Sequence, residues 1–526
     1  MPSQQVDTPV PGNPGWPAPL TALVVLSVGL WAIGSAPAGV FYDDGIYLTL
    51  GRALAEGAGF RYLNLPGTPA AVHYPPGYPT LLAICWWLGG ELPRVLLLAK
   101  VLNAALMAVA AGGIVSVLSR SEAPAWVIAL GTVAGVLAVP VLAFSTIPFS
   151  EPLFLVLLVA AAAVTERALA PEAGIRRHAL AGVVCGLLFL VRSVGAVVLP
   201  VGLLLLMRAR GRRAAGIAAG AMLAVVAPWV LWSGTRAGEV PAILSGSYGS
   251  YSGWYGESLR SEGVRLVARI AGHNLTELLR PLAVLLTPPG PGWISWLVIP
   301  AGCAVLVLGI RSLARSSAFL ATSLGLYLML VIVWPYPPDR FVWGIWPLVT
   351  VCLALGLANL ARLSRRASPR RVHAIALSCL AGAGVLGYLM REGKGLVRRS
   401  WEAPQVAGAQ AMEPAVRWVR AHTELDAVVA TENDPMLYLY TERRAVPVLS
   451  WTAAEQVRAQ TSAVAEDNLR RIQDQFGPAF IVLPGGGTPE ALAVERLWRE
   501  EKQLELVDTL PGGGAVFRPV HPGSPR

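Results

Sequence analysis

The sequence predicts a polytopic α-helical membrane protein that carries a small α/β domain at its C-terminal end, and three observations lead there. Of the 526 residues, 54% are hydrophobic and 14% charged, against roughly 25% charged residues in soluble domains. Apolar runs near the ~20 residues that a bilayer requires recur along the chain as far as about residue 390. Beyond about residue 400 short apolar strands alternate with amphipathic helices, the texture of a small α/β domain.

Eleven spans follow, near residues 18–39, 95–118, 124–144, 150–166, 178–191, 193–207, 214–234, 293–310, 317–334, 340–361 and 373–390. The fifth and sixth are short, meet at Arg192 and read as a helical hairpin that need not cross fully. Arg120, then Arg167, Arg176 and Arg177, then Arg208, Arg210, Arg212 and Arg213, then Arg311 and Arg315, then Arg362, Arg365, Arg366, Arg370 and Arg371 all fall in loops on one side. The opposite short loops, around Pro148, Arg192 and Tyr336, hold almost none, so the positive-inside bias places the first set in the cytoplasm. The expected organisation is a cytoplasmic tail over 1–17, a transmembrane domain over 18–395 and an extracytoplasmic domain over 400–526, in the cytoplasmic membrane with the N-terminus inside. The tail is Pro-rich and lacks the basic start and cleavage site of a secretory signal, so the first span is expected to be retained.

Charge and cysteines narrow the function. The net charge of +10 lies in short loops between apolar runs, not on a basic face with interleaved aromatics, so no nucleic-acid partner is expected. Cys85, Cys185, Cys303, Cys352 and Cys379 are scattered singly through apolar runs, which suits small core residues better than metal ligands or disulfides. No metal and no cofactor is expected.

In the C-terminal part, AVRWVRAHT reads as a helix, DAVVATE as a strand, AAEQVRAQTSAVAEDNLRRIQDQF as one long amphipathic helix and PAFIVLP as a buried strand. ALAVERLWREEKQ is then helical, and LELVDTL and AVFRPV are closing strands. The GGG at 485–487 lacks the flanking residues of a phosphate loop and reads as a turn. With no acid or nucleophile cluster of its own, this domain is expected to shape acceptor access and not to perform chemistry.

Two long outward loops, 40–94 and 235–292, are where polar groups can be held against the scaffold. The first opens on FYDDGIYLTLGRALAEGAGF. Asp43 and Asp44 read either as a helix cap with a first-turn acid or as a general base that takes a proton from an acceptor hydroxyl or amine. At helical spacing the two cannot point the same way, so at most one faces a buried pocket. In HYPPGYP the prolines force a turn beside His73 and Tyr74, and TLLAICWWLGG reads as a helix at the membrane interface with Trp86 and Trp87 as belt residues. Glu151 opens the fourth span, Arg192 sits between the fifth and sixth, and Asp339 and Arg340 open the tenth. Ionisable groups at such depth are costly and point to function. The topology brings them to one membrane face, where arginines bind a phosphate leaving group and a carboxylate deprotonates an acceptor. In the second loop Tyr248, Tyr251, Trp254 and Tyr255 read equally as a sugar-stacking platform or an interfacial belt.

YDDGIYLTLGRALAEGAGF with HYPPGYP, the Ser-Glu-Pro opening a later span, the Arg ending LLFLVRSVG and the late WPYPPDRFVW together resemble the membrane glycosyltransferases of the GT-C class. Within it they are most similar to the protein O-mannosyltransferase and aminoarabinose transferase branch. The resemblance covers residues 18 to 390, is strongest over 41 to 82, and after 400 holds only in type. It implies transfer of a sugar from a polyprenyl-phosphate donor to a protein, lipid or glycan acceptor on the outer face, usually with inversion. It places Asp43 at the catalytic centre with Asp44 as a second acid, and Glu151 at the acid opening the fourth span. It also places the phosphate-binding cation on Arg192, where the family often carries Lys; Arg340, read from its place in the topology, is a second candidate for the phosphate. Tyr47, His73, Tyr74, Tyr251 and Trp254 are further candidates for the site, read from the residues themselves. A lipid monophosphate donor suits the lack of any metal-ligand cluster. The rival readings are a transporter or flippase of a lipid-linked glycan, against which stands the absence of an inverted repeat, and a non-catalytic envelope assembly protein.

Overall fold

A computed structural model describes residues 16–119, 121–365, 370–485 and 488–520. Most of the N-terminal tail, Arg120, Arg366 and two glycines of the 485–487 turn lie outside the described residues. Each of the eleven predicted runs is a helix or a pair of helices. Seven helices among the described residues are long and apolar enough to cross a membrane, and a bent pair makes eight; Pro17–Ala32 and Ala318–Val333 are apolar but shorter.

Three spans differ from the sequence expectation. The first ends at Ala32, because the chain turns extended from Ile33. The third is Ala125–Val136 and Val139–Thr146, bent by 74°; Pro140 in the first turn of the second segment cannot continue the preceding hydrogen-bond ladder. Gly135 lies at this bend, where an added Cβ would come within 2.6 Å of the Pro347 backbone, so the bend also brings two helices into close approach. The tenth begins as the separate short helix Pro338–Gly344 and resumes as Trp346–Ser364 with Pro347 in its first turn. Between the spans, Ile114, Phe154, Leu188, Phe319, Trp346 and Leu355 are fully buried in one core.

The first long loop holds two helices, Asp43–Ala55 and Gly77–Gly89. In the second of these Trp87 and Leu88 stand exposed, while Trp86 turns inward and donates from Nε1 to the Leu48 carbonyl at 2.9 Å. The second long loop is helical from Ser245 to Tyr248, Tyr251 to Glu262, Val264 to Glu277 and Leu279 to Leu286.

The C-terminal domain opens with the helix Ala403–His422 and carries β1 (Val428–Thr431), β2 (Arg444–Pro447), β3 (Phe480–Leu483), β4 (Leu504–Leu510) and β5 (Gly514–Pro519). They form one sheet in the order β2-β1-β3-β5-β4. β1 pairs parallel with β2 and β3, and the β4–β5 hairpin closes antiparallel onto β3. Gly512 and Gly513, both at φ 86, make its turn, a conformation that glycine adopts without a steric penalty. The long amphipathic helix expected from residue 453 begins only at Ser462, because Thr461 caps it by accepting from the Val464 N–H. A helix at Asp434–Thr441 and the strand β2 were not legible in the sequence. Leu439, Val446 and Leu483 of this domain share an apolar cluster with Ile46, Tyr62, Leu82 and Tyr248. The domain is therefore docked on both long loops.

Candidate functional site

Beneath the docked domain lies a cavity of about 490 Å³, walled by Tyr42, Asp43, Tyr47, His73, Tyr74, Arg192, Tyr251 and Arg340, with Trp334, Tyr336, Phe341 and Trp451. Asp43 begins the helix Asp43–Ala55 and follows Tyr42, whose φ of 67° is a strained conformation for a bulky residue, costing about 1–3 kcal/mol. Glu151 begins the helix Glu151–Leu169, where the free backbone N–H groups favour an anion. Arg192 ends the helix Ile175–Val191 in extended backbone, which frees it from the helix surface. Arg340 lies on the short helix Pro338–Gly344.

These four side chains form one chain of ion pairs. Arg340 donates from Nη1 to Asp43 Oδ2 at 2.6 Å and from Nε to Glu151 Oε1 at 2.9 Å. Arg192 donates from Nη1 to the same Glu151 oxygen at 2.6 Å and to Ser150 Oγ at 3.2 Å. Phe149 lies under the Arg340 guanidinium and Phe341 under that of Arg192. Glu151 Oε2 and Arg340 Nη2 are buried with no partner among the described residues. The site therefore holds two cations against two anions.

The adjacent acids part company. The Asp43 side chain is 25% exposed and faces the cavity, and its Oδ1 accepts from the Tyr74 hydroxyl at 2.7 Å. Burial pushes its carboxyl up, but the Arg340 guanidinium, the Tyr74 hydroxyl and His73 more than offset this and hold it below the usual carboxylate range. Asp44 is buried, and its two oxygens accept from the Gly39 N–H at 2.6 Å and the Phe41 N–H at 3.0 Å. Burial pushes its carboxyl up to about 6. Asp44 braces the turn that presents Asp43.

Around Asp43 the walls are aromatic. Tyr47 bonds Ser150 Oγ at 3.1 Å and packs edge-on against Tyr74 and Tyr78. His73 directs Nδ1 to the Gly249 carbonyl at 2.8 Å, and its ring lies 4.3 Å from that of Tyr251. Burial pushes the His73 imidazole down to about 4, so it is neutral at physiological pH. Two predicted site residues stand elsewhere. Asp339 is exposed and accepts from the Arg340 N–H at 2.8 Å, a local contact outside the cavity. Trp254 is buried behind the wall with Leu266, Ile270, Ala453 and Ala454. Tyr42, Trp334, Tyr336 and Trp451 also line the cavity; the available signals for them were that Tyr42 adjoins Asp43 and that Trp334 and Tyr336 stand in the WPYPPDRFVW segment. Trp451 comes from the C-terminal domain and stacks on Tyr336 with ring centroids 5.8 Å apart.

Chemically, an ionised carboxylate within an aromatic cavity can accept a proton, and the two guanidiniums can hold a phosphate. Among the described residues no cluster of His, Cys, Asp and Glu side chains has the makings of a metal site.

By sequence, no protein-family model and no curated protein matches the chain. By structure, it is similar to ArnT from Cupriavidus metallidurans in the apo state, with a TM-score of 0.54 and 12% identity over 95% of this chain and 97% of that one. The same protein bound to undecaprenyl phosphate gives a TM-score of 0.52 and 13% identity over 97% and 98%. The chain has the GT-C fold. A second GT-C structure, the archaeal oligosaccharyltransferase AglB from Archaeoglobus fulgidus in complex with an inhibitory peptide and a dolichol-phosphate, gives 0.51 and 11% identity over 89% of this chain and 69% of that one. The match to ArnT takes in the C-terminal domain as well as the spans, so the GT-C fold extends over nearly the whole chain.

Proposed function

We propose that this protein transfers a sugar from a polyprenyl-phosphate-linked donor to an acceptor at the outer face of the cytoplasmic membrane. The observation that carries the reading is the accessible, ionised Asp43 paired with Arg340 in a cavity that also holds Arg192. Two solved neighbours, one bound to undecaprenyl phosphate and one to a dolichol-phosphate, support the choice of a lipid phosphate. The arginine-rich loops at the opposite ends of the spans support an outward-facing site with the N-terminus inside.

In this reading the acceptor oxygen or nitrogen attacks the anomeric carbon and its proton passes to Asp43. The bond from that carbon to the phosphate oxygen breaks with its electron pair, and the new anion is stabilised by Arg192 and Arg340, both of which line the cavity. Direct displacement inverts the anomeric centre. The step as written needs no metal or cofactor. Asp44 and Asp339 take no part in the chemistry, and Glu151 fixes the spacing of the two guanidiniums.

The test uses vesicles containing the full-length protein and, as donor, the polyprenyl-phosphate-sugar fraction of a host lipid extract. Release of polyprenyl phosphate and appearance of a glycosylated acceptor by mass spectrometry support the reading. Movement of the intact lipid-linked sugar across the bilayer without bond cleavage would make the protein a flippase.

A further inference from the structure

Asp434 opens the helix Asp434–Thr441 of the C-terminal domain and is fully buried. Its Oδ1 accepts from the Tyr42 hydroxyl at 2.9 Å, and its Oδ2 accepts from Asn64 Nδ2 at 2.8 Å and from the Tyr248 hydroxyl. Asn64 Nδ2 also donates to Tyr248 Oη at 2.8 Å, which commits the Tyr248 proton to Asp434. Three neutral donors from the two long loops thus converge on one carboxylate, and none of these partners is a cation. Burial pushes that carboxyl up to about 7, whereas apolar side chains of similar volume would dock the domain without desolvating an acid.

What the node holds is the turn that carries Asp43. Tyr42 stands at φ 67° directly before it, a conformation that a tyrosine keeps only under outside constraint. Its hydroxyl bond to Asp434 and its ring contact with Tyr248, centroids 6.2 Å apart, supply that constraint. Asn433 Nδ2 donates to the Gly39 carbonyl at 2.8 Å in the same turn. A Cβ at Gly39 or Gly45 would come within 2.9 Å of the Met436 or Pro435 Cβ, so the domain meets this turn without slack. On the far side, Tyr248 adjoins Gly249, whose carbonyl fixes His73.

We propose that Asp434 is a positioning residue, locking Tyr42 and Tyr248 together so that Asp43 faces Arg340 across the cavity, and that the C-terminal domain thereby completes the transferase site. This goes beyond a domain that shapes acceptor access, and it rests on the reading of Asp43 as the acceptor's base.

The test compares wild type, Asp43→Asn, Asp434→Asn, Tyr42→Phe and the Asp434→Asn/Tyr42→Phe double variant. All are full-length, in vesicles, with the same host lipid fraction as donor and with undecaprenyl phosphate as the binding probe. Asp434→Asn is expected to lower kcat by about 10-fold to 100-fold, the cost of a small misplacement of a reacting group, while KM and undecaprenyl phosphate binding stay within about twofold. The double variant is expected to lose no more than the worse single variant, the sign of one coupled unit. Unchanged kcat in Asp434→Asn while Asp43→Asn is inactive overturns the proposal and leaves the transferase reading standing. An active Asp43→Asn overturns the reading of Asp43 as the base, on which this proposal rests. Where Asp434→Asn fails to fold, Tyr42→Phe carries the test, and full activity in that folded variant overturns the proposal.

Discussion

Asp43 and Arg340 lie 297 positions apart in the chain and meet in a 2.6 Å ion pair. The same guanidinium reaches Glu151, so the catalytic carboxylate of the proposed mechanism is held by a cation that is itself anchored at the mouth of a span. Arg340→Lys keeps the charge but has a single nitrogen where the native residue uses Nε and Nη1 on two partners. Undecaprenyl phosphate binding by Arg340→Lys is therefore expected to weaken by about tenfold or more, the worth of one charge-assisted bond. Binding equal to wild type, measured by titration into detergent-solubilised protein, would mean Arg340 does not contact the phosphate.

Glu151 is buried between two guanidiniums, so removing its charge leaves two cations facing each other. Glu151→Gln is expected to destabilise the protein by about 3–5 kcal/mol, the usual cost of breaking a buried pair on one side. A melting temperature within a degree or two of wild type would show that water already screens these charges.

Asp44 gives a prediction in pH. Its carboxyl titrates at about 6 in the folded protein against about 3.9 in an unfolded chain. The folded state thus keeps the proton to higher pH, so its contribution to stability is greatest below about pH 4 and falls as pH rises through 6, by about 3 kcal/mol for about two units. The melting-temperature difference between wild type and Asp44→Asn should shift in the variant's favour between pH 4 and pH 7.5. A difference that does not change with pH would give Asp44 an ordinary carboxyl.

Neutral His73 predicts the converse. Its imidazole is pushed down to about 4 by burial, so it changes charge below the working range. His73→Gln should leave the midpoint of the acid limb of transfer activity between pH 5 and 8 unmoved, whatever it does to the rate. A midpoint that moves would assign that limb to His73.

Hydrophobic periodicity made the apolar helices legible, and the ionisable groups beside them pointed to Asp43, Glu151, Arg192 and Arg340, because ionisable groups next to long apolar runs have few alternative placements. Breaks within spans were harder to read. The 74° bend at Val136–Val139 and the separate helix Pro338–Gly344 depend on how Pro140 and Pro347 meet neighbouring helices. Trp451 and Asp434 were invisible as site-region residues because their roles arise only when the C-terminal domain docks. The helix they depend on, Asp434–Thr441, is eight residues long and opens on an Asn-Asp-Pro that reads as a turn. Asp339 was misleading for the opposite reason: it neighbours Arg340 in sequence, but the helix turns it out to solvent.

In the proposed mechanism Asp43, and not Asp44, takes the acceptor's proton. The most direct test is transfer by Asp43→Asn at equal protein level, alongside undecaprenyl phosphate binding by the same preparation. Turnover should fall by about 10² to 10⁴, the usual worth of a positioned general base, with binding retained. Wild-type turnover in Asp43→Asn, with the loss appearing in Asp44→Asn instead, would make Asp44 the base.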